Sequence, residues 1–229
     1  MAQWFHVFAC LNELGSDDIS LPVTKLLPTV ADIDGSVFSS DITNMASLYK
    51  RHNATLILKE ANLSFVGNAL QSFGKFVQEQ RVKIGVFSFN YCPDEQLQFA
   101  GSFFPHVKKF EISPFGSLLD LTDRGRKNVL TLARSIKDGL LQIDHPHQMK
   151  KLVLCVIPFG DEGVSILSSE VGKVAELDMR DIGMTSVGAV KLGEHLEMET
   201  TQSMVRLDIS CNEVGDIGAC AITKSIHKM

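Results

Sequence analysis

Residues that could carry catalysis or bind a metal are few in this chain. His145 and His147 flank Pro146 directly after Asp144, and two imidazoles beside a carboxylate could bind a metal ion adventitiously. A polar loop that happens to contain histidine is the more common origin of such a group. We therefore predict no metal site at this position.

The cysteines are also not arranged for chemistry. They are five in number, contain no Cys-x-x-Cys pair, and are spaced like neither a disulfide framework nor a zinc site. Cys155 and Cys211 fall on or beside predicted strands with no histidine near them in sequence, so we expect packed thiols rather than nucleophiles. Free thiols indicate a reducing compartment, and we expect a cytoplasmic protein.

Two glycine-rich turns, residues 160–163 and 215–218, superficially resemble nucleotide-binding loops. Neither contains the Lys and Ser/Thr with which a phosphate loop holds its nucleotide and Mg²⁺. With no catalytic group found elsewhere, the sequence predicts a protein without enzymatic activity and without a cofactor.

The amino-acid composition narrows the classes of protein that remain possible. The 229 residues are 45% hydrophobic and 21% charged, which is typical of folded domains. Lys and Arg number 22 against 27 Asp and Glu, so a generally basic nucleic-acid surface is not expected. The longest apolar stretch, residues 152–158, has the length of a strand, and we predict no membrane span.

The elements that would position any functional residue recur along the chain. A strand pattern of apolar-x-apolar is followed by an apolar residue at plus seven and by Gly at plus eleven in four units. Two intervening units, which start at Ile84 and Phe110, match less well. The six predicted strand starts are Leu56, Ile84, Phe110, Leu152, Leu177 and Leu207.

Each unit reads as a strand, a turn and a short helix that cannot cover its own apolar face. Neighbouring units must therefore stack, and the pattern favours an α/β solenoid of about seven repeats over an ordinary βαβ sheet. Residues 1–53 read as irregular N-terminal repeats or a cap, with a degenerate strand at 30–37 and a helix at about 41–51. Residues 54–229 form the array, with an insertion near 113–126 before a helical run at 128–136.

The last unit resembles a known family. It is similar to the leucine-rich repeat of ribonuclease-inhibitor type, which implies a horseshoe of concave parallel strands and convex helices. The family's strand-ending asparagine, whose amide bonds the loop backbone, matches only at Asn212; Asn62 and Asn90 lie one residue late, where a shifted loop would let them substitute. The resemblance rests on Leu207, Ile209, Asn212, Val214, Gly215, Asp216, Gly218 and Ala219.

Strand alternation identifies the residues that should point to solvent on the concave face. A lysine stripe is expected along adjacent strands, followed by a mixed-charge group at the C-terminal end, with two exposed apolar anchors between the charges. A solvated face with weak cross-strand ion pairs is the alternative. The candidate protein-binding residues are Lys83, Phe87, Lys109, Glu111, Lys151, Val153, Asp178, Arg180, Arg206 and Asp208.

The resemblance implies a protein-protein interaction module, such as the ligand-sensing or autoinhibitory repeat domain of a NOD-like innate immune receptor or a short isoform of one. The alternative is a regulator of an enzyme, either a nuclease inhibitor or a GTPase activator in which Arg124 or Arg126 would act. Residues 226–229 end a predicted helix without a polar cap, so we expect self-association or a flanking domain to cover that end.

Overall fold

The computed structural model describes residues 9–10, 13, 29–51, 53–144, 149–197 and 204–226. Within these residues, seven strands form one parallel sheet whose strand order follows the chain. The strands are β1 (Val30–Val37), β2 (Ile57–Phe65), β3 (Lys83–Tyr91), β4 (Val107–Ile112), β5 (Lys151–Val153), β6 (Glu176–Asp178) and β7 (Arg206–Asp208).

Helices connect the strands and pack on one another in the same order. α1 contacts α2, the 3₁₀ helix η1 contacts both α2 and α4, and α4 to α7 follow in sequence. Right-handed connections between neighbouring parallel strands place such helices on one face of the sheet. The α-helices are α1 (Ser39–Arg51), α2 (Ala69–Gln80), α3 (Gly116–Leu119), α4 (Asp123–Leu141), α5 (Gly160–Leu167), α6 (Ser186–Leu196) and α7 (Gly215–Ile226), and the 3₁₀ helices are η1 (Asp94–Phe99), η2 (Phe104–His106) and η3 (Val171–Lys173).

The predicted α/β class and the predicted strands are confirmed. Five of the six predicted strand starts lie within one residue of the first residue of a strand, and the sixth, Phe110, lies three residues after the start of β4. The degenerate strand at 30–37 is β1, and the N-terminal helix begins at Ser39 rather than near residue 41. The predicted insertion contains α3 and the first turn of α4, and the histidines of residues 145–147 lie outside the described residues. Among the described helices, none combines the length and the apolar character needed to cross a bilayer.

A cluster of phenylalanine rings fills the core beneath the longer strands. The rings of Phe87 and Phe103 lie 4.5 Å apart between centroids, and those of Phe104 and Phe110 lie 4.7 Å apart. Tilted and edge-to-face contacts of this kind add about 0.5–1.5 kcal/mol each beyond area burial. Six phenylalanines along the chain, two of them members of these pairs, are all at most 2% exposed: Phe65, Phe73, Phe76, Phe89, Phe103 and Phe110.

Asn212 joins the last two strand ends, as the repeat pattern predicts. Its Oδ1 accepts hydrogen bonds from the backbone N–H of Ile182 at 3.1 Å and of Met184 at 3.0 Å. Its Nδ2 donates to the carbonyls of Met179 at 2.8 Å and Ile209 at 2.9 Å. One amide therefore satisfies polar backbone groups of two successive units.

The other two candidate asparagines, Asn62 and Asn90, form a hydrogen bond with each other. Asn90 Nδ2 donates to Asn62 Oδ1 at 2.8 Å, and the hydroxyl of Ser88 donates to the same oxygen at 3.2 Å. The expectation that they would replace the loop-bonding asparagine is wrong, because their side chains bond each other across β2 and β3.

Asp161 links the start of α5 to the start of α6. Its Oδ1 accepts from the backbone N–H groups of Thr185 at 2.8 Å and Gly188 at 2.9 Å, and its Oδ2 accepts from Thr185 Oγ1 at 2.6 Å. A Cβ on Gly188 would lie 2.5 Å from Asp161 Oδ1, so the glycine is needed for this close approach. Gly188 is the glycine at plus eleven of the unit that starts at Leu177, and at this position the missing Cβ allows the two turns to approach closely.

Three equivalent turn residues share an unusual backbone conformation. Val156, Asp181 and Cys211, each four residues after a predicted strand start, have φ of 65°, 53° and 60°. For the β-branched Val156 this left-handed conformation is strained. The shared conformation shows that the last three turns follow one local geometry.

Candidate protein-binding surface

Four adjacent strands, β4 to β7, align seven of the candidate residues, together with Glu176, in two rows. In the first row Lys109 is opposite Lys151, which is opposite Glu176, which is opposite Arg206. The second row aligns Glu111, Val153, Asp178 and Asp208 in the same way. We call the side of the sheet that carries these two rows the open face.

The lysine stripe is shorter than predicted. Lys109 pairs with Val86 of β3, three residues beyond Lys83, so Lys83 does not extend the row. The predicted alignment of Lys83 with Lys109 is wrong because β4 begins at Val107, three residues before the predicted start at Phe110. Only Lys109 and Lys151 are neighbours.

Both lysines are paired with acidic side chains. Lys109 Nζ lies 2.8 Å from Glu111 Oε2 on its own strand, and Lys151 Nζ lies 3.7 Å from Glu176 Oε2 on the next strand. Each side chain is about one-third exposed, at 34% and 32%. Partly exposed pairs of this kind contribute little to stability, and they remain available to exchange partners with a docking protein.

The C-terminal part of the open face is organised around Arg180. Its Nε donates to Asp178 Oδ1 at 2.9 Å and its Nη2 to Asp178 Oδ2 at 2.8 Å, while Nε also lies 3.7 Å from Asp208 Oδ2. These contacts raise the pKa of the guanidinium above its ordinary value, first through its hydrogen bonds to Asp178. The hydroxyl of Ser210, which donates to Asp208 at 2.7 Å, holds the pKa of that carboxyl below its ordinary value. Within the predicted mixed-charge group, Asp178 and Arg180 therefore form a bidentate hydrogen-bonded ion pair, with Asp208 close to the same guanidinium.

The prediction of two exposed apolar anchors on this face is wrong. Phe87 is 0% exposed and lies in the phenylalanine core. Strict alternation from Ile84 would place it outside, but Gly85 and Val86 are both half-buried and Phe87 is the next buried residue. An irregularity in the strand shifts the alternation by one residue.

Val153 is only 5% exposed, although it lies in the second row of the open face. It lies opposite Glu111 of β4 and Asp178 of β6, so its neighbours in the row are acidic residues. The open face of β4 to β7 is consequently a polar surface rather than an apolar one.

Reactive groups near this surface have structural surroundings. Cys155 is half-buried, and burial followed by the charge of Asp178 raises the pKa of its thiol, which disfavours the nucleophilic thiolate. Arg124, one of the two arginines that a GTPase activator could use, donates from Nε at 2.9 Å and Nη2 at 2.7 Å to Asp94. Among the described residues, no group of three or more His, Cys, Asp or Glu side chains could hold a metal ion.

Sequence reasoning missed one surface feature. Lys59, Arg81 and Lys83 come together at a cleft over the beginning of β2 to β4. Lys59 of β2 is distant in sequence from Arg81 and Lys83, which lie close together at the end of α2 and the start of β3, so no local motif reveals the whole group. In β2, Lys59 and Glu60 are both exposed and interrupt the alternation of buried and exposed residues. Within that strand, this interruption is the signal that marks the cleft.

The comparisons with known proteins leave the family open. Neither the models of known protein families nor the curated proteins gave a match to this sequence.

Proposed function

We propose that this chain is a protein-binding module of the leucine-rich repeat type. The chain-ordered parallel strands support this interpretation, together with the row of helices packed in the same order. The bonds of Asn212 and the shared left-handed turns at Val156, Asp181 and Cys211 also fit a repeating unit. Stacked repeats of this kind present one extended surface to a partner.

The observation that carries the binding proposal is the alignment of charge on the open face. Lys109, Lys151, Glu176 and Arg206 lie side by side on four successive strands, with a change of sign along the row. A polar surface of this kind selects a partner by complementary charge, because like-charge contacts are costly and opposite charges speed association. The partner should therefore present acidic groups to β4 and β5.

Within this class we propose the ligand-sensing or autoinhibitory repeat domain of a NOD-like receptor, acting in the cytoplasm. Support comes from the irregularity of the repeats, which vary from nine-residue to three-residue strands and match the family asparagine at one position. Recovery of a nucleotide-binding domain bound to the wild-type chain would support the autoinhibitory role. A partner set without any such domain would remove it.

Affinity capture with paired variants tests the binding proposal. The double variant Lys109→Glu, Lys151→Glu reverses the charge of two residues on the open face. The control double variant Lys127→Glu, Arg134→Glu makes the same change in net charge on the exposed side of α4. We expect the open-face variant to lose partners that the wild type and the control variant both retain. Identical partners for all three proteins, each with an unchanged circular dichroism spectrum, would refute the assignment of this face.

A further inference from the structure

A second surface lies at the other end of the sheet, across the beginning of β2, β3 and β4. It is a cleft of about 970 Å³, which is at the upper end of the range for ligand-binding clefts. Its floor and walls include the apolar residues Ile57, Pro105 and Val107. Ile57 is 43% exposed, an unusual exposure for an isoleucine within a sheet.

The cleft exists because a glycine lies between two lysines. Leu58 pairs with Ile84 and Glu60 with Val86, so Lys59 lies opposite Gly85. On the other side Ile84 pairs with Val107 and Val86 with Lys109, so Lys108 also lies opposite Gly85. The lysines are thus on alternate strands, about 10 Å apart at their Cα atoms, with no side chain between them.

The strand irregularity at this point makes the glycine necessary. β1 and β2 shift register between Ala31 and Asp32, opposite Lys59. A Cβ on Gly85 would lie 2.5 Å from the carbonyl oxygen of Lys59. The gap between the lysines is therefore built into the backbone, and it is the same irregularity that buries Phe87.

Charge in the cleft is of one sign. Lys59, Lys83, Lys108 and Arg81 are exposed, and no acidic residue is among the lining residues. Ion pairs among the described residues involve none of these four cations. His106 adds no fixed charge at neutral pH, because burial lowers the pKa of its imidazole. A concentrated positive field in a chain of net charge −5 attracts anionic ligands.

We propose that this cleft binds an acidic peptide segment of a partner protein, with carboxylates over Gly85 between Lys59 and Lys108 and apolar side chains against Ile57 and Pro105. Charge complementarity argues for the carboxylates, and the apolar floor argues for a peptide over an inorganic anion, which would gain nothing from Ile57. This inference rests on the proposed protein-binding function and assigns it a second, separate surface.

The test uses the full chain and a fluorescein-labelled ten-residue peptide of alternating Glu and Leu, with fluorescence anisotropy as the readout. A peptide in which Gln replaces every Glu is the matched neutral probe. The cleft variant is Lys59→Glu, Lys83→Glu and Lys108→Glu, and the control variant is Lys75→Glu, Lys127→Glu and Arg134→Glu, which changes the net charge equally on exposed helix positions.

We expect the wild type and the control variant to bind the Glu peptide with similar affinity, and the cleft variant to bind it on the order of tenfold more weakly or worse. The wild type should bind the Gln peptide as weakly as the cleft variant binds the Glu peptide. Equal binding of the two peptides by the wild type would overturn the proposal without depending on any variant. So would binding of phosphatidylserine vesicles, lost in the cleft variant, in the absence of peptide binding.

The same variants separate this inference from the proposed function. If the cleft variant binds peptide normally while the open-face variant loses its captured partners, only the cleft assignment fails. If the cleft variant loses the peptide while capture is unaffected by reversal of the open face, only the open-face assignment fails.

Discussion

Replacement of Asp161 should weaken the connection between two successive helices. Its carboxylate accepts hydrogen bonds from Thr185 N–H, Thr185 Oγ1 and Gly188 N–H, and Thr185 is the residue that caps α6. In Asp161→Ala both N–H groups lose their acceptor at the start of a helix, where no intrahelical partner exists. In Asp161→Asn one oxygen remains for these two N–H groups, and only the charge and the geometry at Thr185 Oγ1 change.

The contacts set the expected size of the effect. Hydrogen bonds to a charged group contribute about 1.5–3 kcal/mol each, and three bonds that share one carboxylate are not additive. We expect Asp161→Ala to lower the free energy of unfolding by about 2–4 kcal/mol and Asp161→Asn by about 1 kcal/mol. Glu162→Ala is the matched control, because Glu162 is the exposed neighbour in the same turn, and its effect should be within about 0.5 kcal/mol of zero.

The loss should also depend on pH. Burial raises the pKa of Asp161, but the three hydrogen bonds outweigh burial and leave the pKa below its ordinary value. The carboxylate therefore stabilises the folded state above the ordinary pKa of about 4, and this contribution is lost as the pH falls through the lower folded-state value. The difference in stability between the wild type and Asp161→Asn should shrink below about pH 4.

Two measurements check the Asp161 prediction. Urea unfolding followed by circular dichroism gives the change in the free energy of unfolding, and hydrogen exchange of the α6 segment reports whether the loss is local. An Asp161→Ala protein with wild-type stability and unchanged exchange at α6 would show that the three contacts do not stabilise the connection.

Three further substitutions test other parts of the fold by the same urea unfolding. Asn212→Ala should cost about 2–3 kcal/mol and speed exchange at residues 179–184, because backbone groups of two units lose their partner; an unchanged exchange rate there would contradict this. Phe87→Ala should cost about 3–5 kcal/mol, whereas a surface anchor would lose binding without losing stability. Val156→Asn should stabilise the protein by about 0.5–1 kcal/mol, because asparagine tolerates φ of 65° better than valine; a loss of stability would show that the exposed valine makes contacts that outweigh the strain.

Sequence periodicity was sufficient to predict the strands but not their register. Leu152, Leu177 and Leu207 align as predicted because each is the central residue of a three-residue strand with no room for an irregularity. In β2 and β3 the interruption at Lys59 and Gly85 shifts the alternation, and a period of two cannot reveal a shift that depends on backbone geometry. The interruption accounts for the buried Phe87.

The side-chain contacts between units were predictable to different degrees. The role of Asn212 was predicted from the resemblance, because this residue matches the strand-ending asparagine of the leucine-rich repeat. The partner of Asp161 lies 24 residues away and depends on how closely α5 and α6 approach, which Gly188 alone indicates weakly. The basic cleft depends on three strands meeting around Gly85, and no segment of the sequence contains that arrangement.

Because the strands follow chain order, the two ends of the sheet should respond very differently to mechanical force. β1 to β3 are held by long ladders of eight or nine residues, whereas β5 to β7 have three residues each. Under tension applied to the chain ends, β7 and α7 should detach first and β6 and α6 next, while the phenylalanine-filled end remains folded. Each step would release about 25–30 residues, or a contour length of roughly 10 nm, so the protein would extend in a graded series rather than rupture at once.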